Sequence, residues 1–410
     1  MKRYFCILLA LLVVFCTGCQ NSPATKGEEP VTETISLPED FIFGMDASCV
    51  PALEASGVKY HNFDGKEQDV FKTLAENGFN YIRVRVWNDP YDENGNGYGG
   101  GNCDIQNALT IGKRATAYGM ELLVNFHYSD FWADPNKQMT PKAWEAMTME
   151  EKTQALYRYT LESLQLLKDN GVAVGMVQIG NETNGHMCGE SDWANISALM
   201  NAGSRAVREV FPDAQVAVHF AGPENIETYR YYAKQLDQNK VDYDIFASSY
   251  YPYWHGTLEN LSTVLTEISQ SYLKKVLIAE TSYAYTIKDS DFSGNTISAG
   301  SNLPKPYEYS VDGQAQFLRD LTETAAQIPN CLGIFYWEGT WISVGQDSFE
   351  ENQQLWEQYG SGWASSYAAA YDPNDAGKWY GGCAVENQAL FDEAGHPLSS
   401  LKVFSQLLGG

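Results

Sequence analysis

Val177-Gln178-Ile179-Gly180-Asn181-Glu182-Thr183 and Val276-Leu277-Ile278-Ala279-Glu280-Thr281 are the two stretches whose reading decides the fold. Each is a short apolar run that stops abruptly in a carboxylate, which places that charge at the C-terminal tip of a β-strand. In parallel α/β folds, ligands and catalytic groups gather at that end. Working outward, eight candidate strands can be counted, at 41–46, 80–86, 121–126, 175–180, 215–220, 243–250, 276–280 and 333–337. Helical periodicity lies between most of them. The segments 67–77 and 105–118 each run into a glycine, Gly78 and Gly119, as a helix C-cap does. Thr148 with Glu151 forms a capping box that opens a long helix ending near Gly171. Further helices are expected at 193–210, 225–237, 258–272 and 312–327. Eight strands alternating with helices predict a closed (β/α)8 barrel with its active site at the C-terminal face. The longest non-periodic stretches follow strands two, three, seven and eight, so the elaborated loops belong to that same face.

Composition bounds the partners. A net charge of −25, from 27 basic against 52 acidic residues, weighs against nucleic acid and anionic membrane surfaces. With 10 Trp, 26 Tyr and 18 Phe, the chain is rich in flat rings with polar edges, which suit sugar faces, although many must be core. The N-terminus pairs Lys2 and Arg3 with an apolar run from Ile7 to Phe15, too short for an ordinary membrane span. Thr17-Gly18-Cys19 then resembles a bacterial lipoprotein signal, with Cys16 standing where Leu is usual. The expectation is a signal peptide over 1–18, a polar tether over 19–36 beginning at a lipidated Cys19, and one catalytic domain over 37–410. Plain secretion is the simpler alternative. On the lipoprotein reading the protein is exported and lipid-anchored at the cell envelope, and it is read as a monomer. Cys49, Cys103, Cys188, Cys331 and Cys383 remain outside the signal, an odd number that permits at most two disulfides of unassigned pairing.

Two carboxylates at barrel tips can supply the acid and the nucleophile of glycosidic cleavage. The plain alternative is two unrelated glutamates in structural ion pairs. Strand two alternates, with Tyr81, Arg83, Arg85 and Trp87 on one face and Ile82, Val84 and Val86 on the other. The β-branched face suits helices, so the arginines point inward and must meet carboxylates. Arg85, nearer the tip, is expected to hold Glu280 as an anion with a low pKa, and Arg83 to be structural. His127, Asp130 and Trp132 crowd the run after strand three, at sugar-contact positions. Asn181 is placed to bond a sugar 2-OH as the transition state forms. Trp87 and Asn88 after strand two, Tyr251 after strand six, and Trp337 and Trp341 after strand eight complete the candidate substrate contacts. The loop 288–295 offers oxygens at Asp289, Asp291, Ser293 and Asn295, a spacing that can wrap a hard cation such as Ca²⁺, with a solvated acidic loop as the alternative.

Together, Gly44-Met45-Asp46-Ala47-Ser48, the segment 83–90, the run 127–135, Gln178 to Thr183, Glu280-Thr281-Ser282-Tyr283 and the segment 387–392 resemble glycoside hydrolase family 53, the endo-β-1,4-galactanases. The resemblance extends from about Phe41 to the C-terminus. It implies a retaining mechanism, with Glu182 as acid/base and Glu280 as nucleophile, acting on β-1,4-galactan without an organic cofactor. It also implies Ca²⁺ between the loops after strands seven and eight. In the ligand positions, Ser293 stands where a His is expected, and Cys383 and Glu386 stand where Ser and Asp are expected. The rival readings are the same chemistry on mannan, xylan or glucan, and a surface lipoprotein that binds glycan without cutting it.

Overall fold

Eight parallel strands pair in chain order, and β1 (Ile42–Asp46) closes the sheet against β8 (Cys331–Tyr336). This computed structural model describes residues 37–345 and 348–409. The expected signal, tether and Cys19 anchor lie outside those residues. The intervening strands are β2 (Tyr81–Val86), β3 (Glu121–Phe126), β4 (Val174–Ile179), β5 (Gln215–Phe220), β6 (Ile245–Ser249) and β7 (Lys275–Thr281). Around them lie α1 (Val50–Ala55), α2 (Val70–Glu76), α3 (Ile105–Ala117), α4 (Met149–Asp169), α5 (Trp193–Val210), α6 (Ile226–Gln238), α7 (Leu258–Tyr272), α8 (Val311–Gln327), α9 (Phe349–Tyr359) and α10 (Lys402–Leu407). The eight expected strands and seven expected helices are all present, most of them shifted by one or two residues at an end. The short α1, α9 and α10 carried too few turns to show a period. Among the described residues no helix is long and apolar enough to cross a membrane.

The alternation of β2 divides the molecule into two cores. Ile82, Val84 and Val86 are fully buried against the helices, whereas Arg83 and Arg85 enter the barrel at 0% and 1% exposure. Below them the interior is filled by Ile42, Leu123, Met176, Ala217, Ile245, Ala247, Leu277, Ala279 and Phe335. That plug is apolar, so the arginines sit on a floor that offers no water and must find their partners in the layer above. Gly44 belongs to the same packing, since a Cβ there would lie 2.1 Å from Cδ1 of Phe335. The glycine makes room for the aromatic ring that seals the barrel.

Helix ends are fastened by their own sequence. Thr148 and Glu151 form the reciprocal capping box of α4. Asp104, Asp192 and Thr257 accept first-turn N–H groups of α3, α5 and α7. The long connections after β2, β3, β7 and β8 fold over one mouth of the barrel. No disulfide exists among the described residues, and the five cysteines outside the signal are buried free thiols.

Candidate active site

Gly180, at φ 101°, turns the chain out of β4, and Glu182 follows at φ 42°, a left-handed conformation that is costly for a residue with a Cβ. The strain is held by the Glu182 N–H on His219 Nδ1 at 3.3 Å and the Thr183 N–H on the His219 carbonyl at 3.0 Å. Glu280 lies within β7, its carbonyl accepting from the Tyr250 N–H at 2.8 Å. Oxygens of Glu182 and Glu280 and a ring nitrogen of His219 all lie within 4.8 Å of one another. Both nitrogens of His219 are engaged by Gln178, Glu182 and Ser249, so the trio is no ready metal seat.

The arginines exchange their expected roles. Arg83, not Arg85, holds the Glu280 carboxylate, at 2.8 Å. Its other contacts are Asp46 at 3.0 Å, Asn181 Oδ1 at 2.8 Å and Gln178 Oε1 at 3.3 Å. Arg85 pairs with Asp46 at 3.3 Å and with Glu338, donates to the Gly100 carbonyl at 3.1 Å, and lies 4.3 Å from the Trp132 ring centre. The reason is reach. An extended guanidinium arrives about one layer above its own Cα, so the lower arginine meets the nucleophile position. Tyr251 completes the seat, its hydroxyl donating to Glu280 Oε2 at 3.0 Å.

The electrostatics separate the two glutamates. Burial first, then the Glu280 charge, pushes the Glu182 carboxyl well above its ordinary range. Burial also raises Glu280, so its expected low pKa does not hold. There, however, the Arg83 charge is the largest opposing influence. The Arg83 charge thus favours the ionised form at Glu280, whereas burial and the Glu280 charge favour the protonated form at Glu182, which keeps part of its surface open to the cleft.

A cleft of about 360 Å³ lies above the pair. Trp132, Trp337, Trp341, Tyr251, His127, Asn181 and Arg85 all line it. Trp132 and Trp341 stack with planes 11° apart at 6.2 Å. His127 Nδ1 accepts from Trp87 Nε1 and the Ala133 N–H, each at 3.1 Å, which leaves the proton on Nε2. That Nε2 has no protein partner. Burial, then the Arg85 charge, keeps the ring neutral, so His127 presents a single N–H donor to the cleft.

Three expected contacts lie elsewhere. Trp87 is fully buried beneath His127, a support rather than a sugar platform. Asp130, 1% exposed, accepts the N–H groups of Asp89 at 3.0 Å and Lys142 at 2.7 Å, and so binds two loops together. Asn88 donates its N–H to the Ser129 carbonyl at 2.9 Å and does not line the cleft. Strand-tip position could not distinguish a ring that faces the cleft from one packed below it. Conversely, Asp134, Lys137, Trp363 and Asp375 line the cleft. Trp363 takes the Trp132 Nε1–H on its carbonyl at 2.9 Å. It lies in a stretch without periodicity, so no local signal marked it.

In the candidate cation loop, carboxylate oxygens of Asp289, Asp291 and Glu386 converge within 4.8 Å. Asp291 is 0% exposed, and the buried atoms Glu386 Oε2 and Asn295 Oδ1 have no partner. This set of hard, anionic, partly orphaned oxygens fits a Ca²⁺-type ion. Ser293 Oγ instead accepts the Gly382 N–H at 2.9 Å. Cys383 contributes its N–H to Asp291 at 2.8 Å, but its thiol turns toward the Trp341 carbonyl, so its side chain leaves the ligand set.

Comparison with known proteins agrees with this geometry. The chain is 57% identical to the endo-beta-1,4-galactanase of Bacillus subtilis (strain 168), covering 100% of this chain and 99% of that protein. It is 34% identical to the arabinogalactan endo-beta-1,4-galactanase of Cellvibrio japonicus, over 77% of this chain and 86% of that one. The solved GH53 catalytic domain of Ignisphaera aggregans superposes with a TM-score of 0.80 at 38% identity, covering 91% of this chain and 98% of that domain. Residues 42–404 match the description of glycosyl hydrolase family 53, and on barrel, paired glutamates and relatives alike the chain belongs to that family.

Proposed function

We propose that the protein is a retaining endo-β-1,4-galactanase that cuts the galactan of pectic side chains. The observation that carries the mechanism is the pair of oxygens of Glu182 and Glu280 within 4.8 Å. Retaining enzymes hold their carboxyls roughly 5–5.5 Å apart, whereas inverting ones need roughly 6.5–9.5 Å to admit a water. Glu280, whose carboxylate is held by Arg83 and Tyr251, attacks the anomeric carbon. Glu182 delivers its proton to the departing glycosidic oxygen, and a covalent glycosyl-enzyme forms. Glu182, now a carboxylate, takes a proton from the incoming water as the ester to Glu280 breaks. Replacing either glutamate by Gln is expected to leave the fold intact and lower turnover by orders of magnitude. An active Glu280→Gln enzyme would overturn the assignment.

Trp132, Trp337, Trp341 and Tyr251 come from loops after three different strands, which supports an open groove that accepts internal bonds. Short oligosaccharides should therefore precede galactose during digestion of linear galactan. Galactose as the sole early product, or comparable rates on mannan, xylan or cellulose, would refute endo-galactanase action.

Asp289, Asp291, Asn295 and Glu386 would hold a structural Ca²⁺, whose chemistry is to neutralise buried carboxylates and tie the loop after β7 to the segment at Glu386. The mature protein starts at a lipidated Cys19, acts as a monomer, and is tethered to the cell envelope by the polar segment 19–36. Changing Cys19 to Ala should release it from membrane fractions or stall its processing. Unaltered membrane retention would count against the anchor.

A further inference from the structure

We propose that Ser249 and His219 form a positioning chain that makes Oε1 of Glu182 a permanent hydrogen-bond acceptor and confines its catalytic proton to Oε2. This rests on Glu182 being the acid/base, as argued above.

The direction of every bond in the chain can be assigned. The Ser249 hydroxyl donates to Glu182 Oε1 at 2.5 Å, and Ser249 itself is 0% exposed. Ser249 Oγ also lies 3.0 Å from Nε2 of His219. On the other side of the imidazole, Nδ1 faces the Glu182 N–H at 3.3 Å and Gln178 Nε2 at 3.0 Å. A backbone N–H can only donate. The Gln178 amide is oriented by Arg83, whose Nε and guanidinium N–H both require Oε1 as acceptor, each at 3.3 Å. Gln178 Nε2 therefore faces His219, its two hydrogens divided among Nδ1, Asn181 Oδ1 and the Gly180 carbonyl at 3.1 Å, so the Glu182 N–H is the donor that decides Nδ1. Asn181 Oδ1 also approaches Nδ1 at 3.2 Å, but three donors already occupy that oxygen, from Arg83, Asn125 and Gln178. Nδ1 thus carries the lone pair and Nε2 the proton.

With Nε2–H donating to Ser249 Oγ, the single proton of that hydroxyl is left for Glu182 Oε1. Burial, then the Arg83 charge, holds the imidazole neutral, so the chain does not reverse at working pH. His219 also fastens the strained backbone at Glu182 and Thr183. One residue of β5 thereby fixes both the main chain and, through Ser249, the carboxyl of the acid. In the first half-reaction, the proton leaves Oε2 for the glycosidic oxygen as the C1–O bond breaks. The new negative charge is met on Oε1 by a hydroxyl already in place. In the second, Oε2 takes the proton of water while Oε1 stays bound.

The chain is tested with Ser249→Ala and Ser249→Thr enzymes on linear galactan, and with histidine-¹⁵N NMR of the wild type. A donor to the carboxylate favours its charged form, so its loss raises the Glu182 pKa. Ser249→Ala should move the alkaline limb of kcat/KM upward by roughly one to two pH units and lower kcat by about tenfold or more. Ser249→Thr, which keeps the hydroxyl, should restore the limb. On an activated dinitrophenyl β-galactoside, whose departure needs no acid, the Ser249→Ala glycosylation step should run close to wild type. The His219 ring should appear as the neutral Nε2–H tautomer. A galactan-active wild type whose Ser249→Ala variant loses rate equally at every pH overturns the chain alone. So does an Nδ1–H tautomer, however the variants fold. A wild type inactive on galactan removes the functional reading itself, and the chain falls with it.

Discussion

Arg83 and Arg85 stand two residues apart on one face of β2 and share Asp46, yet each also holds a glutamate of its own, and the difference has a kinetic consequence. Arg83 touches Asp46 and Glu280, and Arg85 touches Asp46 and Glu338. The Arg83 charge lowers the Glu280 pKa against the raising effect of burial. Removing it therefore raises that pKa, and the fraction of ionised nucleophile falls first at low pH. Arg83→Gln should shift the acid limb of kcat/KM to higher pH, with the loss larger at pH 5 than at pH 7. It should also cost roughly 3–5 kcal/mol of stability, because Asp46 and Glu280 lose a buried partner. Arg85→Gln should lower stability and leave the acid limb where it is. If pH profiles of the two variants show the reverse, the pairing is misassigned. A second expectation concerns Tyr251, whose hydroxyl is the other donor to Glu280. Tyr251→Phe removes one hydrogen bond to a charged group, worth about 1.5–3 kcal/mol. It should reduce kcat/KM by about ten- to a hundredfold in an enzyme that still folds, and full activity of the phenylalanine enzyme would exclude the contact.

At the scale of elements, helix ends were legible wherever capping is local. The capping box of Thr148 and Glu151 needs only four consecutive residues, and it opens α4 as read. The end of α7 breaks the usual pattern. Leu273 occupies the left-handed position after the helix at φ 53°, 88% exposed and with nothing to pack against. Glycine reaches that conformation without the Cβ penalty, so Leu273→Gly should stabilise the protein by about 0.5–1 kcal/mol. A melting temperature that falls would show that the leucine makes a compensating contact. Gly44 has the opposite sensitivity. A methyl group there meets the Phe335 ring at 2.1 Å, and Gly44→Ala should cost about 1–3 kcal/mol of overpacking or more. Denaturant unfolding measures both.

Across the whole molecule, the long loops are fastened to one another by charge. Asp291, fully buried, has its pKa raised to about 6, first by burial and then, among the opposing and assisting neighbours, by the Asp289 charge. Burial and the Asp291 charge raise Glu386 to about 8. These values describe the metal-free protein. A carboxyl that holds its proton more tightly when folded favours folding at low pH, and that contribution is lost as pH rises through 6 and then 8. A bound cation reverses this by requiring the ionised forms. EDTA should therefore depress the melting temperature most near pH 8 and least near pH 5, affecting catalysis only indirectly. Equal melting curves with and without chelator at pH 8, with no metal in the purified protein, would leave the loop without its ion.

The barrel itself was readable residue by residue, because strand and helix periods are local properties of the chain. A run that ends in a carboxylate places Glu182 and Glu280 at strand tips whatever the rest of the sequence does, and the alternation in β2 sends Arg83 and Arg85 inward for the same reason. Which arginine meets which acid depends on side-chain reach and on the tilt of strands closed into a barrel, and neither is encoded in a spacing. Trp87 and Asp130 occupied positions typical of sugar contacts, yet loops folding back from distant parts of the chain buried them. His219 and Ser249 carried no motif, since a positioning residue is defined by the atoms it touches. Their chain to Glu182 exists only because β4, β5 and β6 are neighbours in the closed sheet.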